Sequence, residues 1–481
     1  MLDSSLYLSI CLRLADRYNF DGLNTRVEPT TAGRESVMQN KIDPRPTQTR
    51  IKHRILEDYL KKWGWIILNG KRGHAAKAAA EGRAFRARLV YVDCNASCGR
   101  YQGESEDLAA GREPTLTPGS PLIGIQALDG LTQFASSCGI TLQTNAILIE
   151  EQAWKVAELR ESLLMAGIDE ARIVVGRDLG QLKPGQIAIM QGDSTKMAGA
   201  LNTFTQADPY TNAFFFLDPY GPEGIPLNFV SQIINQPRHD VIINMPYQDL
   251  HKKAGWINKP DSRGRETLKH YDAMFGHNQW QSIVQQLDLD SILQAEAAEL
   301  AGRKVGDQAK VELSRKKELE LVQAYRTTLQ AVDEVLAVKK IPLRFQDRER
   351  TMFYLYLTTH DPTGALTMNQ ILWDAEYEER VLRDRFQVAK LSKGGAQTTL
   401  FDYVSPTPAD NRQRPKVEDI AEAIAAELSG QVLPLREIYR AFGDDIYFAD
   451  EIKKALTYLK RKKRSTYPSQ PDNSTEISIL A

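Results

Sequence analysis

Short apolar runs alternate with helically spaced segments between about residue 86 and residue 245. Such alternation predicts an α/β domain whose strands form a largely parallel sheet between helices. The predicted strands are RLVYVD (88–93), AILIEE (146–151), IAIMQGD (187–193), FFFLD (214–218) and DVIINM (240–245). The segments GSPLIGIQALDGLTQFASS and EQAWKVAELRESLLMAG have the spacing of helices and connect these strands.

Helical spacing also precedes and follows this alternation. Residues 51–68 place a stripe of apolar side chains on one face, which predicts a helix that packs on the sheet. Residues 247–312 are charged and lack strand periodicity, and a long amphipathic helix is predicted at about 311–338. Together they predict a helical insertion at about 247–338. The runs VLAVKKIPLRF and RTMFYLYLTTHD then predict an antiparallel hairpin that closes the sheet.

The composition of the chain predicts four consecutive regions. Residues 1–46 are polar and Pro-rich, which predicts a poorly ordered extension, and 47–389 form the α/β domain. A linker is predicted at 390–415. Residues 416–481 contain three short helical patterns, ending with FADEIKKALTYLKRKKR, and two polar strand-like runs around Pro468 to Ser474. Three helices and a hairpin of this size predict a winged helix-turn-helix.

Length and composition narrow the class of protein. A chain of 481 residues suggests roughly three units of about 150 residues. No apolar run approaches the roughly 20 residues of a membrane span, so we expect a cytoplasmic protein without a membrane partner. Cysteines at 11, 94, 98 and 138 fit a reducing compartment. A metal or redox pair at Cys94 and Cys98 is the alternative, but unpaired thiols and no metal are favoured.

The string FFFLDPYG carries the most specific candidate chemistry. Ligands bind open α/β sheets beyond the carboxyl ends of the strands, which places Asp218 in a pocket. Asp218 offers an acceptor for an amino group, Pro219 fixes the backbone, and Tyr220 offers a stacking face for a planar ring. This combination suits methylation of an amine or a nucleobase. An ordinary strand-end turn is the alternative, and the triplet alone does not decide between them.

Further acids follow the other predicted strands. After Asp93, the small residues in the loop let a backbone approach a ligand, and these residues are Ala96, Ser97 and Gly99. Glu150 or Glu151 is placed to accept ribose hydroxyls, and Asp193 to meet an adenine amino group. The order of these acids predicts a nucleotide or S-adenosylmethionine site. Solvated strand ends or helix caps are the alternative for each acid alone.

Five segments together resemble the three-Cys-motif partner protein family, TcmP, over roughly residues 50–375. They are KHRILEDYLKKW, YVD-x-x-A-x-x-G-R-Y, GSPLIGIQAL, FLDPYG and IINMPYQDLHKKAG. The resemblance implies a Rossmann-like class I methyltransferase fold, for which a closing hairpin is typical, frequently followed by a winged helix. It also implies a partner protein bearing three cysteines. In the cofactor loop Asp93, Ala96, Gly99, Arg100 and Tyr101 match, whereas Asn95, Ser97 and Cys98 depart from the family pattern.

Two hypotheses of different classes follow. The first is an S-adenosylmethionine-dependent methyltransferase acting on an amino group, with DNA or RNA as the favoured substrate. The second is a catalytically degenerate methyltransferase fold that binds DNA or the three-Cys partner, in mobile-element or phage-defence loci. With a net charge of -1, nucleic-acid contact needs a local basic patch. The candidate patch is Lys460, Arg461, Lys462, Lys463 and Arg464, for which a solvated helix end is the alternative. No clustered motif supports a nuclease.

Overall fold

The computed structural model describes residues 42–480 apart from 106–112, 114, 177, 258–261, 301–306, 335, 346–349, 394–411 and 470. Most of the predicted N-terminal extension and of the predicted linker therefore lies outside the described residues. The chain divides into two units, Met1–Asp43 and Pro44–Ala481. Every helix and strand given below belongs to the second unit.

An eight-stranded sheet forms the middle layer of the protein. Its strands lie in the order β5-β6-β4-β1-β7-β8-β10-β9. They are β1 Phe85–Asp93, β4 Ile140–Glu150, β5 Ile173–Val175, β6 Ile187–Gln191, β7 Thr211–Leu217, β8 His239–Met245, β9 Ala337–Arg344 and β10 Thr351–Thr359. β10 is antiparallel to both of its neighbours, β8 and β9, while the other five pairings are parallel. The fold is therefore mixed α/β with a mostly parallel sheet, compatible with a Rossmann-like fold.

Helices cover both faces of this sheet. Before and between the parallel strands lie α1 Thr47–Gly70, α2 Arg72–Ala80, α3 Ser120–Ser137, α4 Ala153–Met165, α5 Ala198–Gln206 and α6 Leu227–Ile234. The insertion between β8 and β9 contains α7 Tyr247–Ala254, α8 Ser262–Phe275, α9 Gln279–Leu300 and α10 Asp307–Gln330. After β10 comes α11 Pro362–Lys393. A short hairpin of β2 Arg100–Gln102 and β3 Leu116–Pro118 precedes α3.

The apolar run of β7 shows why this strand is central. Phe214, Phe215 and Phe216 are all fully buried. Phe215 packs in one core with residues of α5, α6 and the insertion. Phe214 and Phe216 pack in a second core with residues of α1, α3 and α11. A strand covered on both faces needs apolar residues at successive positions, which is why the run does not alternate.

The structure contains all five predicted strands and the closing hairpin, with shifted boundaries. The amphipathic helix predicted at about 311–338 ends at Gln330 instead, and residues 337–344 form β9. The predicted strands 146–151 and 187–193 end earlier, at Glu150 and Gln191. The short edge strand β5 carried too little pattern to be predicted.

Residues 416–480, which we call the C-terminal unit, form a small core to which Leu366 of α11 also contributes. This unit contains α12 Val417–Leu428, α13 Leu435–Ala441 and α14 Ala449–Arg461, and β11 Val432–Pro434 pairs antiparallel with β12 Glu476–Ser478. The strand-like runs predicted around Pro468 to Ser474 are wrong in position. Asp472 accepts hydrogen bonds from Ser474 and Thr475 there, which forms a turn rather than a strand.

A lysine of β9 fastens the C-terminal unit to the sheet. The Nζ atom of Lys339 donates to the backbone oxygens of Gly443, Asp444 and Asp445 at 3.3, 3.0 and 3.0 Å. Burial lowers the pKa of Lys339 to about 8. Asn369 of α11 also donates to the Asp445 oxygen at 2.8 Å. Charge-assisted bonds to consecutive carbonyls fix the position of this unit.

Candidate functional site

The carboxyl ends of three adjacent parallel strands bring candidate acids together. β1 lies between β4 and β7, and Asp93 pairs in register with Leu148 and Phe216. Glu150 therefore ends the strand on one side of Asp93, and Asp218 follows the strand on the other side. The charge of Asp218 is close enough to Asp93 to add to the rise in the Asp93 pKa that burial causes. This arrangement is consistent with the sequence prediction, in which these acids share one edge of the sheet.

Asp218 has a partner on each carboxylate oxygen. Lys52 Nζ lies 2.5 Å from Oδ2, and Asn244 Nδ2 donates to Oδ1 at 2.6 Å. The side chains of Lys52 and Asp218 are only 7% and 18% exposed, so this ion pair is largely shielded from water. Lys52 is on α1 and Asn244 is near the end of β8. Asp218 is therefore already paired with a cation of the same chain, the Lys52 ammonium.

Neither partner of Asp218 was identified from the sequence. The apolar stripe of α1 was defined by residues such as Ile51 and Ile55, and Lys52 lies on the same buried side. Asn244 interrupts the apolar run of β8 and is 2% exposed. A charged or amide side chain within an otherwise buried face was the available signal, because such groups are seldom buried without a partner.

Asp93 is fully buried beneath the loop that follows β1. It accepts hydrogen bonds from the Tyr91 hydroxyl at 3.0 Å and from the Asn95 backbone N–H at 3.2 Å. Burial raises the pKa of Asp93 to about 6, even though hydrogen bonds, including one from Ser120, oppose the shift. A positively charged ligand group would restore the ionised form.

Glu150 holds the loop after β1 in place. Its Oε2 accepts the Ser97 backbone N–H at 3.0 Å, and its Oε1 accepts the Gln152 N–H at 2.9 Å. A carboxylate can accept about four hydrogen bonds, so two sites remain for other donors. Glu151, the neighbouring candidate, is exposed and takes no part in this contact. The structure therefore favours Glu150 over Glu151 as the acid that faces the loop.

The loop itself is tightly packed. Ser97 and Gly99 have positive φ angles of 50° and 73°. A side chain at Gly99 would be strained by this positive φ, and its Cβ would lie 2.7 Å from Leu159 Cδ1 of α4. Ala96 and Cys98 are 2% and 6% exposed. The loop therefore packs against helix α4, and the approach of its backbone to a ligand stays a prediction.

Aromatic side chains border the edge. Tyr101 of β2 lies 5.6 Å from the His53 ring, centroid to centroid, and His53 is 2% exposed. Burial, and then the charge of Lys52, hold the pKa of His53 well below its usual range. Tyr220 is 82% exposed, and Lys155 Nζ lies 4.8 Å from its ring centroid. Tyr220, two positions after Asp218, therefore presents an exposed ring, as stacking requires.

Pro219 is buried behind this tyrosine. A Cβ added at Gly224 would lie 2.4 Å from the Pro219 Cβ, so the Asp218–Pro219 turn is packed against a glycine. This contact restricts the backbone of the Asp218–Pro219 turn. The bend predicted at Pro219 is therefore supported by a close neighbour.

Asp193 lies at a different kind of position. It caps a short 3₁₀ helix, and its Oδ1 accepts the backbone N–H and the hydroxyl of Thr195 at 2.9 and 2.6 Å. Burial alone would raise its pKa, but the hydrogen bonds from Thr195 and Lys196 hold the pKa below its usual range. This is the capping role weighed as the alternative in the sequence analysis.

Three buried polar atoms near the edge lack a hydrogen-bond partner within the described part of the chain. They are Asn95 Oδ1, Asn244 Oδ1 and His53 Nδ1. Buried polar groups are nearly always bonded, so unpartnered ones mark places for water or a ligand. Two of the three are amide oxygens, which only accept hydrogen bonds. With Asp93 and Glu150, they make this edge rich in acceptors.

The cysteines beside the edge are buried thiols. Cys94, Cys98 and Cys138 are free, and burial raises the pKa of Cys98 to about 11. Thiols with a raised pKa are poor nucleophiles and poor metal ligands. Among the described residues, no group of three or more His, Cys, Asp or Glu side chains is placed to hold a metal ion.

The basic segment lies at the end of α14. Lys460, Arg461, Lys462 and Lys463 are exposed. Arg464 instead pairs with Glu422, at 2.9 Å between Nη1 and Oε1. Four of the five predicted cations are thus open to a partner, and the fifth joins α14 to α12.

A separate cleft of about 410 Å³ opens at the amino edge of the sheet. It lies between α1, the starts of β7 and β8, and the C-terminal unit, and contains none of the predicted site residues. Asp240, at the start of β8, lines it. This cleft and the candidate acids are therefore on opposite edges of the sheet, and neither it nor two smaller cavities are lined by Asp93, Glu150 or Asp218.

The fold and this edge define a mixed α/β protein with an acceptor-rich site beyond parallel strands. None of the described helices has the length and apolar character of a membrane span. No protein-family model and no curated protein matches the chain. Among solved structures, protein LPL1258 from Legionella pneumophila, assigned to family DUF519, is similar at 10% identity and a TM-score of 0.30. The match covers 65% of this chain and 85% of that one. The TcmP resemblance remains a prediction.

Proposed function

We propose that this protein is an S-adenosylmethionine-dependent methyltransferase that acts on an amino group, with a nucleic-acid base as the favoured substrate. The observation that carries the proposal is the acceptor-rich carboxyl edge around Asp93, Glu150 and Asp218. S-adenosylmethionine presents an ammonium, two ribose hydroxyls and an adenine amino group, all of them donors. An edge of acceptors complements such a ligand.

Strand order gives a second line of support. The sheet ends in the hairpin of β9 and β10. The antiparallel strand β10 lies between β8 and β9, and β9 is the edge strand. A parallel sheet that ends in this way is typical of class I methyltransferases. The C-terminal arrangement of three helices and two short strands supports the proposal of a winged helix-turn-helix. Proteins with the same fold can have different functions, so the proposal rests on the residues of the site.

The residues have separate roles in the proposed reaction. Asp93 accepts the ligand ammonium, and Glu150 keeps acceptor capacity for ribose hydroxyls while it positions Ser97. Asp218 accepts a hydrogen bond from the acceptor amine, and the exposed ring of Tyr220 stacks beside the base. The bound cofactor supplies the methyl group. These residues contribute mainly by holding the reacting atoms in line, a proximity effect.

Calorimetry with S-adenosylmethionine and with S-adenosylhomocysteine tests this proposal. We expect saturable heat with both ligands, and a loss of at least tenfold in affinity for S-adenosylmethionine in Asp93→Asn, because a charge-assisted hydrogen bond is lost. Glu161→Gln is the matched control, since the Glu161 side chain is 56% exposed on α4. If the folded protein gives no heat with S-adenosylmethionine and none with S-adenosylhomocysteine, the proposal of a methyltransferase is rejected.

The second candidate function is a binding protein that retains this fold as a scaffold. The observation that favours it is the occupied state of the candidate groups, since Asp218 is paired with Lys52 and Cys98 is packed in the loop. The partner would be DNA or a three-Cys-motif protein. The exposed end of α14 is the surface through which DNA would be held.

Salt dependence separates the two partners. Replacing Lys460, Arg461, Lys462 and Lys463 by Gln should lower the slope of log affinity against log salt for duplex DNA by about 3 to 4 units. The charge-matched control replaces four exposed cations of the α/β domain, namely Lys61, Arg83, Lys196 and Lys269. An equal slope in both variants would point to a protein partner for the C-terminal unit.

A further inference from the structure

Lys52 occupies the place that the proposed function assigns to an acceptor amine. Its Nζ lies 2.5 Å from Asp218 Oδ2, while Asn244 holds the other oxygen. The Lys52 side chain is 7% exposed, although it is long enough to reach solvent from most helix positions. An amine of the protein itself is therefore fixed at the carboxylate that would orient a substrate amine.

We propose that Lys52 is itself a methyl acceptor, so that the protein methylates its own α1 helix. The inference rests on the proposed function, because it requires S-adenosylmethionine at the acceptor-rich edge. It goes beyond that function by naming an acceptor within the chain. No external substrate is needed for this first transfer, and a nucleic-acid amine would meet a modified Lys52.

The chemical step balances with Lys52 and Asp218 as the participating side chains. Lys52 Nζ gives one proton to Asp218 Oδ2, which frees the nitrogen lone pair. The nitrogen forms a bond to the transferred methyl carbon as the bond from that carbon to sulfur breaks. The electron pair of the broken bond stays on sulfur, and S-adenosylhomocysteine leaves. Asp218 then releases the proton to solvent, which its 18% exposed side chain can reach.

The surroundings of Nζ suit a methylated product. A monomethylated or dimethylated ammonium keeps at least one N–H, so the bond to Asp218 survives, whereas a trimethylated one has none. The ring centroid of Phe353, on β10, lies 5.9 Å from Nζ. Aromatic rings attract methylated ammonium groups. We therefore expect one or two methyl groups on Lys52, and not three.

Mass spectrometry of the full chain tests the inference directly. The purified wild-type protein is incubated with S-adenosylmethionine that carries a deuterated methyl group, which distinguishes new methyl groups from those added during expression. We expect the deuterated methyl on the proteolytic peptide that contains Lys52. Lys52→Arg should abolish this label, and Lys61→Arg, a control on the exposed side of the same helix, should retain it.

A binding measurement provides a readout that does not depend on turnover. Lys52→Met removes a positive charge next to the position of the sulfonium, so its affinity for S-adenosylmethionine should rise about tenfold. Its affinity for S-adenosylhomocysteine, which is neutral at sulfur, should change less than threefold. Equal changes for the two ligands would mean that Lys52 does not face the transferred methyl group.

The outcomes separate this inference from the proposed function. If both ligands bind and the wild-type protein carries no label on Lys52, self-methylation is rejected and the methyltransferase proposal stands. Label on a different residue also rejects it. If neither ligand binds, both proposals fail. Because the wild-type experiment needs no substitution, loss of folding in a variant cannot hide the result.

Discussion

Two aspartates on neighbouring strands illustrate how differently the two edges of the sheet are built. Asp218 follows β7 at the carboxyl edge, and its oxygens contact the Lys52 ammonium and the Asn244 amide. Asp240 begins β8 at the amino edge, where hydrogen bonds come from Thr359 and Trp63. Burial, together with nearby Asp361, raises the pKa of Asp240 to about 7.

The contrast teaches what a buried carboxylate can do at each edge. At the amino edge, neutral donors do not offset the cost of burying a charge, so protonation is favoured near neutral pH. At the carboxyl edge, a cation offsets that cost and keeps an ion pair in place. A group that already holds an ammonium is suited to bind an amine. The cleft of about 410 Å³, by contrast, is lined by Asp240, which is less suited than Asp218 to bind an amine.

The largest expected effect comes from Asp218→Asn. The change leaves the largely buried Lys52 ammonium without its counter-ion, so we expect the free energy of unfolding to fall by about 3 kcal/mol. Urea denaturation followed by circular dichroism measures this. The double variant Asp218→Asn with Lys52→Met should regain at least half of the loss. A change below about 0.5 kcal/mol would show that the pair behaves as a surface ion pair.

Asp240→Asn should have the opposite sign at neutral and higher pH. The folded-state pKa of about 7 lies above the ordinary value of 3.8 for this carboxyl, so ionisation costs stability as pH rises from about 4 through 7. The amide keeps an acceptor for Thr359 and Trp63 without a charge. We expect the variant to be more stable than the wild type by about 2 kcal/mol at pH 8.

The control for Asp240→Asn is the same comparison at low pH. Below pH 4 the wild-type carboxyl is protonated in both the folded and the unfolded states, so the stability difference should disappear. Denaturation midpoints at intervals between pH 4 and pH 8 would show the divergence. A variant that is less stable at pH 8 would mean that Asp240 is ionised and paired, which would break the contrast with Asp218.

The smallest expected effect concerns Asp93, which is fully buried and lies at the same edge of the sheet as Asp218. Its folded-state pKa of about 6 predicts that affinity for a cationic ligand falls as pH drops below 6. The limiting slope is about tenfold per pH unit, equivalent to about 1.4 kcal/mol. Calorimetry with S-adenosylmethionine between pH 5 and pH 8 measures this. Asp93→Asn should bind weakly with no such slope, and a persistent slope would assign it to another group.

Much of the sheet could be predicted because apolar runs bounded by polar residues mark buried parallel strands. The acids that end β1 and β4 were found in the same way, since strand ends converge on one edge. Lys52 escaped prediction because a helical face is identified by its apolar members, and the pairing with Asp218 spans 166 positions. Asp193 shows the converse limit, because an acid after a strand can equally cap the next helix.

The three carbonyls held by Lys339 have a consequence for how a nucleic acid would be used. They attach the C-terminal unit to β9, in the same sheet as β7, which Asp218 follows. If a nucleic acid binds at α14, as proposed, only nucleotides at certain distances from α14 can reach Asp218. Methylated bases should then lie a fixed number of nucleotides from the segment that α14 binds.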